Sequence, residues 1–427
     1  MHAILIGFGS AGDVLPLVGI GRTLTSRGHR VSVVANEHFG AAVARAKLEF
    51  IQFGSEELYQ RGASDPSGTH PIKGFQSLMA VVAGATRPLY DLLAERFVPG
   101  DTVAVATSLA FGARLAQDKL GLPLITAHLC PLAFRSDYDH IVVPALPEVR
   151  WAPRWVKSFV GWAGDTFVLD PPMQKELDAV CADLGLPAVH RPCHRWWNSP
   201  AQVMGLFPSW FGAPQPDWPE PTRLVGFIRD PIEEESALSQ EVEAFLAAGD
   251  APVIFTPGSA SGHGKAFFET AAAVCATLKV RAIFVTQFAD QIPASLPREI
   301  LHVRYAPFAR LVPRASALVH HGGIGTAVQA MAAGVPQLVV PVSYDQPDNA
   351  ARLERLGIAR TLLPRRFRHD AVARDLGVLL ESPDVRRACD AVAAHFRDET
   401  ARDDACALIE GMLARPAASA QRATARG

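Results

Sequence analysis

"ALVHHGGIGTAVQAMAAGVPQLVVPV", residues 317–342, carries a complete supersecondary unit. An apolar run ends in His-His-Gly-Gly, a small-residue stretch of helical length closes on Gly334, and a second apolar run, "QLVVPV", follows. Short apolar runs bounded by glycine read as buried strands, and the stretch between them reads as a helix. Two strands joined through one helix lie parallel, because the right-handed crossover is nearly the only one that packs. The stretch is therefore a β-loop-α-β unit.

Working outward, the same plan recurs. Upstream, "APVIFTPGS" from residue 251 is a strand running into a Gly/Ser loop, "KAFFETAAAVCATL" is a helix and "VRAIFVTQ" the next strand. The first half opens alike. "HAILIGF" reads as a buried strand, a helix follows from about Val14 to Ser26, and "HRVSVVAN" is a β-branched second strand. "DTVAVATS", a helix through "GARLAQDKLG", and "PLITAHL" extend the series. Between the halves lies "FPSWFGAPQPDWPEPTRLVGFIRDP", whose prolines forbid a regular helix or a central strand. The expected architecture is α/β, with two doubly wound Rossmann-like parallel-sheet domains facing across a cleft. Their expected bounds are 1–212 for the first domain, 213–235 for a Pro-rich linker and 236–415 for the second, with a last helix able to return to the first. Residues 416–427 read as a solvated, disordered tail.

Bulk composition narrows the class. The chain has 427 residues, of which 49% are hydrophobic and 20% charged, enough for large buried cores. A formal net charge of −2 gives no attraction to nucleic acid. Six cysteines are scattered with no C-x-x-C, which reads as reduced thiols in a cytoplasmic protein. No basic n-region precedes the first apolar run, and no apolar stretch reaches the ~18 residues that span a bilayer.

Two glycine loops carry the chemistry. The opening loop holds G-x-G-x-x-G at Gly7, Gly9 and Gly12, and Glu37 is a passable partner for a dinucleotide ribose. Asp13, however, stands at the helix start, where a pyrophosphate would sit. It reads either as a plain helix N-terminal acid or as a catalytic one. The second loop suits an anion better. Gly322, Gly323 and Gly325 let backbone N–H groups approach it, Thr326 adds a hydroxyl at the helix N-terminus, and His321 can donate. No lysine is present, so this is not a Walker loop; the bland alternative is a glycine turn with a core histidine. Beyond it, Asp345 and Gln346 in "PVSYDQPDN" offer an acceptor and a two-way amide for sugar hydroxyls, or else an ordinary loop.

Taken together, "GSAGDV-x-P", "YAP" at Tyr305 to Pro307, "HHGGIGT" with "GVP" after it, and "DQPDNA" resemble the nucleotide-sugar glycosyltransferases of the two-Rossmann (GT-B) fold. Within them the chain is similar to the branch containing sterol and antibiotic glycosyltransferases. Three stretches, "MHAILIGFGSAGDVLPLVGIGRTLTSRGHRV", "WWNSPAQVMGLFPSWFGAPQPDWP" and "RYAPFARLVPRASALVHHGGIGTAVQAMAAGVPQLVVP", look like the rhamnosyltransferases that make mono-rhamnolipid. The resemblance implies that L-rhamnose passes from dTDP-L-rhamnose, a co-substrate, to a 3-(3-hydroxyalkanoyloxy)alkanoic acid, with inversion and without cofactor or metal. By position it puts Tyr305 against the donor base, with Ala306 hydrogen-bonding that base. It puts Ser259 and His321 to Thr326 on the diphosphate, and Asp345 and Gln346 on the sugar. Asp13 takes the catalytic-base position, with Ser10 and Gly12 in the acceptor-side loop. Relatives with a histidine base orient it with a second acid; "VATSLAFG" supplies none here. The resemblance also allows a functional partnership with the synthase of the acyl dimer and peripheral contact with the inner face of the cytoplasmic membrane.

Other readings stand beside this one. A related transferase could use another nucleotide sugar on a sterol, polyketide or other hydrophobic acceptor. An NAD-dependent oxidoreductase would use the first glycine loop, but would have no use for "HHGGIGT" and "DQ". A lectin-like binder has no need of Asp13. Asp137-Tyr138-Asp139 is a D-x-D of the metal-binding kind and reads as a chance surface match. The indole-rich run from Trp151 to Trp218 reads as an acyl-binding surface or, equally, as packing.

Overall fold

The computed structural model describes residues 1–64, 70–139, 141–142, 151–229, 231–258, 264–397 and 400–414. The expected tail at 416–427 lies outside the described residues. Apolar runs that read as strands do form two parallel sheets. The first comprises β1 (His2–Ile6), β2 (Arg30–Ala35), β3 (Glu49–Gln52), β4 (Thr102–Thr107), β5 (Leu124–His128), β6 (Gln202–Gly205) and β7 (Thr222–Leu224), in the order β3-β2-β1-β4-β5-β6-β7. The second comprises β8 (Val253–Thr256), β9 (Ala282–Val285), β10 (Ile300–Val303), β11 (Ala317–His320), β12 (Gln337–Val339) and β13 (Ala359–Thr361), in the order β10-β9-β8-β11-β12-β13.

Strands β1, β4, β5, β8 and β11 are buried along their whole length. Helices cover both faces of a parallel sheet, so its central strands read as unbroken apolar runs rather than as alternation. In the second sheet the aliphatic core holds a phenylalanine cluster: Phe284 meets Phe255 at 5.5 Å and Phe268 at 5.0 Å between ring centres. Strand order reverses between β1 and β4, and again between β8 and β11. Loops leaving such neighbouring strand ends part in opposite directions, which opens the crevice where ligands bind in open α/β sheets.

Two compact units result. One holds the first sheet, with Met1–Gln60 and Pro66–Ile228, and takes in residues from Thr400 onward; the other holds Arg61–Asp65 and Arg229–Glu399. Within the Pro-rich stretch 213–235, the structure forms β7 directly after Pro221. It pairs with β6 at the sheet edge, the position that tolerates neighbouring prolines. The first helix starts at Ala11, three residues ahead of the sequence expectation, because Ser10 and Asp13 cap it reciprocally.

The helix Ala401–Ala414 packs on the helix Ala11–Ser26. Ala405, Cys406 and Ile409 are wholly buried. The Cys406 thiol donates to the Ile20 carbonyl at 3.7 Å, and Arg27 pairs with Asp403 at 2.6 Å and Glu410 at 3.0 Å. The exposed ion pairs add little; the buried apolar face dominates. Ile409→Ala is expected to cost about 2–5 kcal/mol of unfolding free energy. Urea titration of the variant checks this, and a loss below about 0.5 kcal/mol, the surface-substitution level, would show that the helix is not part of the first core.

Candidate active site

At the first reversal of strand order, the loop after β1 meets the loop after β4: the Phe8 N–H donates to the Thr107 hydroxyl at 3.1 Å. The Asp13 carboxylate sits over this turn. Its Oδ2 accepts from the Ser10 N–H at 2.7 Å and from the Ser10 hydroxyl at 3.0 Å. Gly9, at φ +139°, is glycine for a visible reason, since a Cβ there would lie 2.3 Å from that same oxygen. The acid is thus at once the helix cap and a half-buried carboxylate at the switch point. It fills the place a dinucleotide pyrophosphate would take. Glu37 is also committed elsewhere, accepting from the Glu56 N–H at 3.0 Å. A nicotinamide dinucleotide finds neither of its usual partners here.

The second reversal holds the other glycine loop. Gly322, at φ +94°, would clash with Val339 if it carried a Cβ, and a Cβ on Gly323 would lie 2.5 Å from the His321 Nε2. At Gly258, with φ +101°, a Cβ would lie 2.9 Å from the ring's Nδ1. His321 is therefore clamped between two glycines, and its Nδ1 is buried without a hydrogen-bond partner. Burial pulls its pKa down to about 4, so the ring is neutral at pH 7. Gly325 differs from the other two. Nothing lies within 4 Å of a Cβ placed there, although glycine in a helix costs about 1 kcal/mol relative to alanine. Packing does not require it. The first N–H groups of the helix Ile324–Ala333 have no partner within the helix, so this end offers donors to an anion.

Residues that the sequence did not single out hold the loop in shape. His320 is wholly buried, and its Nδ1 accepts from the Gly322 N–H at 3.1 Å. Its Nε2 must therefore carry the proton and donate to Gln337 Oε1 at 3.0 Å. Burial takes its pKa to about 3. Asn349 donates from Nδ2 to the Gly322 carbonyl at 3.0 Å and to Asp345 Oδ2 at 2.7 Å. One amide thus ties the glycine loop to the Asp-Gln turn after β12. Burial raises the Asp345 carboxyl to about 6, against the opposing pull of Asn349. The Gln346 carbonyl oxygen is already used, accepting from the Val342 N–H at 2.8 Å and the Ser343 N–H at 3.1 Å. Gln346 is accordingly not a two-way amide: only its NH₂ end is left to serve a ligand.

Tyr305 and Ala306 follow β10, so with the loops after β8, β11 and β12 they lie at one end of the second sheet. Tyr305 is 65% exposed and Ala306 buried. Ser259 lies outside the described residues. Gly12 and Thr326 are half-buried in the first turns of their helices. The D-x-D is a turn around Asp217, which accepts from the Ser136 hydroxyl at 2.7 Å and the Asp137 N–H at 2.7 Å. Among the described residues no group of three or more His, Cys, Asp or Glu side chains could hold a metal. Also among them, no helix is long and apolar enough to cross a membrane. A cavity of ≈ 610 Å³ between Pro208 and Gly226 lies beside β7, at the edge of the first sheet and away from its switch point.

Asn349 gives a test of this framework that needs no ligand. Asn349→Ala leaves the Gly322 carbonyl and the Asp345 carboxyl without their shared donor, which should cost roughly 1–3 kcal/mol. Because that hydrogen bond holds the Asp345 pKa down, the variant should titrate above about 6. Carboxyl NMR of Asp345 would show it, and an unchanged titration would rule out the tie.

Known proteins match this architecture along its length. The Glycosyltransferase family 28 N-terminal domain matches residues 3–135, and the C-terminal domain of Erythromycin biosynthesis protein CIII-like proteins matches residues 280–419. The O-mycaminosyltylonolide 6-deoxyallosyltransferase of Streptomyces fradiae is 28% identical, over 96% of this chain and 97% of its own. Among solved structures, the glycotransferase of kitacinnamycin superposes with a TM-score of 0.72 at 22% identity, covering 96% of this chain and 99% of that one. The spinosyn rhamnosyltransferase SpnG complexed with thymidine diphosphate superposes at 0.68 and 19% identity, covering 96% and 100%. With one family match over the Asp13 loop, another over the His321 loop, and a relative aligned from end to end, the chain is a nucleotide-sugar glycosyltransferase of the GT-B fold, in the macrolide and antibiotic branch.

Proposed function

We propose that this chain transfers L-rhamnose, with inversion, from dTDP-L-rhamnose to the 3-hydroxyl of a 3-(3-hydroxyalkanoyloxy)alkanoic acid, giving a mono-rhamnolipid. One observation carries the donor half. The helix Ile324–Ala333 opens on a glycine that no protein atom requires, next to a ring nitrogen of His321 that no protein atom satisfies. A diphosphate answers both. The acceptor half is supported by "WWNSPAQVMGLFPSWFGAPQPDWP", residues 196–219, the stretch of the first unit that resembles mono-rhamnolipid transferases.

In this reading Tyr305 stacks on the thymine and the Ala306 main chain hydrogen-bonds it. Ser259, His321 and the helix start through Thr326 take the diphosphate, and the Asp345 carboxylate and the Gln346 NH₂ take the sugar. The acceptor hydroxyl oxygen attacks the anomeric carbon while its proton passes to Asp13. The bond to the diphosphate breaks, and dTDP leaves with its charge facing N–H groups, the helix dipole and His321. The reaction class that supplies the acceptor is the esterification of two hydroxy acids, so a synthase of that kind would work beside this enzyme.

A second reading, transfer of a deoxysugar to a polyketide or sterol acceptor, is favoured by the end-to-end alignment with the O-mycaminosyltylonolide 6-deoxyallosyltransferase. Mass spectrometry of products from dTDP-L-rhamnose, with either a hydroxyalkanoyloxy acid or a polyketide aglycone, separates the two. Glycosylation of the polyketide alone would overturn the first.

Asp13→Asn keeps shape and hydrogen bonding but cannot take a proton. Turnover should fall by about a hundredfold or more, with dTDP affinity nearly intact. Loss of dTDP binding with an intact rate at saturation would instead make the loop a donor-phosphate element. His321→Ala should slow turnover by about 3 kcal/mol, roughly a hundredfold, because the leaving group loses a donor. A parental rate at saturating donor would remove His321 from that role.

Asp345 adds a pH dependence. Its carboxyl is ionised above about pH 6 and accepts from sugar hydroxyls there; below, it is neutral. Affinity for the sugar nucleotide should therefore fall as the pH drops through 6, and the fall should vanish in Asp345→Asn. Calorimetry at pH 5.5 and 7.5 with the intact sugar nucleotide, whose diphosphate stays ionised throughout, measures it. An equal fall in the variant would show that another group titrates.

A further inference from the structure

One more polar group stands near Asp13 that the reaction so far leaves unused. Strands β1, β2 and β3 are neighbours, and beyond their C-terminal ends come Asp13, His38 and Tyr59 in turn. Tyr59, on the helix Glu56–Ser64, stacks its ring on His38 at 4.0 Å between centres and 12° between planes. Phe39 meets the same ring edge-on at 5.5 Å. His38 is itself fixed. Its Nδ1 lies 3.1 Å from each oxygen of the Glu56 carboxylate, so that nitrogen carries the proton and donates. Gln60 donates to the same carboxylate at 2.6 Å. The tyrosine ring is thus wedged between the turn after β2 and its own helix.

The hydroxyl stands apart from this scaffold. Among the described residues it has no hydrogen-bond partner, although Tyr59 is half-buried. A buried tyrosine ordinarily satisfies its O–H, and a phenylalanine would make the same ring contacts without that cost. Ring packing therefore does not account for the hydroxyl. Burial pushes the phenol above its ordinary pKa, and the charges of Glu56 and Asp13 push it the same way. It keeps its proton at neutral pH and is a donor there. The field of the Asp13 carboxylate reaches this oxygen, so the two groups share the opening beyond β1. The loops after β1 and β3 also bring Phe8 and Phe53 together, 6.4 Å between ring centres. Aromatic walls with a few placed polar groups, here one that takes a proton and one that gives a hydrogen bond, are the usual make-up of a small-molecule site.

We infer that the Tyr59 hydroxyl donates to a carbonyl oxygen of the acceptor, so that the enzyme selects alcohols that carry a 3-hydroxycarbonyl unit. Asp13 faces the hydroxyl of that unit and Tyr59 its carbonyl. A carbonyl offers only lone pairs, the complement of a phenol whose acidic neighbours keep its proton on. Tyr59 determines specificity in this account; no bond is made or broken at it. The inference rests on Asp13 as the base, and it holds alike for a hydroxyalkanoyloxy acid and for a polyketide with a 3-hydroxyketone.

Calorimetry of acceptor binding to the dTDP-loaded full chain tests it without turnover. Methyl 3-hydroxydecanoate carries the unit, whereas decan-3-ol keeps the hydroxyl and the alkyl tail but has no carbonyl. The parent should bind the ester about tenfold more tightly than the alcohol, the size of one hydrogen bond left unmade. Tyr59→Phe, which keeps the stacked ring, should weaken ester binding by about tenfold and leave decan-3-ol binding and dTDP affinity as in the parent. A parent that binds neither probe, or both equally, would overturn the inference. So would a parental ester affinity in Tyr59→Phe, or an equal loss for both probes, which would make the tyrosine part of the wall alone. Binding that follows the expected pattern, with no rhamnosyl transfer to any 3-hydroxy ester, would instead remove the proposed reaction and leave the role of Tyr59 standing.

Discussion

Parallel strands can be joined only by crossovers, and that constraint governs the rest of this molecule. Each sheet begins in its middle, at β1 or β8, and the chain winds first to one side and then to the other. Two successive loops must therefore separate at β1/β4 and at β8/β11. The Asp13 turn occupies the first opening and the His321 clamp the second. The glycines there follow from closeness: Gly9 yields to a carboxylate, and Gly258 and Gly323 yield to an imidazole. Gly325 is the exception that points outward.

The second site is electrostatically divided. His320 and His321 have pKa values near 3 and 4, below the ordinary 6.5. Their neutral forms contribute stability above pH 6.5 that is lost as the pH falls toward 4. Asp345 behaves oppositely. Its pKa of about 6 lies above the ordinary 3.8, so its ionised form is a burden above pH 6 that lifts as the pH falls toward 3.8. Acid thus destabilises the glycine loop after β11 while relaxing the Asp-Gln turn after β12, and Asn349 joins the two.

Much of this was legible in the sequence because parallel sheets write themselves as apolar runs. "HAILI", "TVAVAT", "VIFT" and "ALVH" each became a buried central strand. The glycine loops were legible as turns. What escaped depends on contacts between distant residues. Nothing local in "HHGGIGT" says that His320 serves the fold through Gln337 while His321 is left with a bare nitrogen. Gln346 looked free to accept because its backbone partners, Val342 and Ser343, are set by a turn that only the folded chain makes. Asn349 sits four residues after Asp345 in a helix, a spacing that could have flagged it. The aromatic run was ambiguous because burial of a tryptophan is a tertiary fact; Trp155 is exposed and Trp218 buried, yet they look alike on paper.

The helix Ala401–Ala414 has a consequence for the order in which the enzyme is made. The first unit draws its last buried layer from residues that are translated after the whole second unit. At roughly 5–20 residues per second, the nascent first sheet waits tens of seconds at the ribosome with the Ile20 face of its opening helix uncovered. During that interval the second unit can close, since its main run from Arg229 to Glu399 and its short segment Arg61–Asp65 have both been translated. Completion of the half that bears Asp13 therefore follows translation of the second unit, and a chain terminated before Ala401 would keep its second core while leaving Asp13 on an unfinished one.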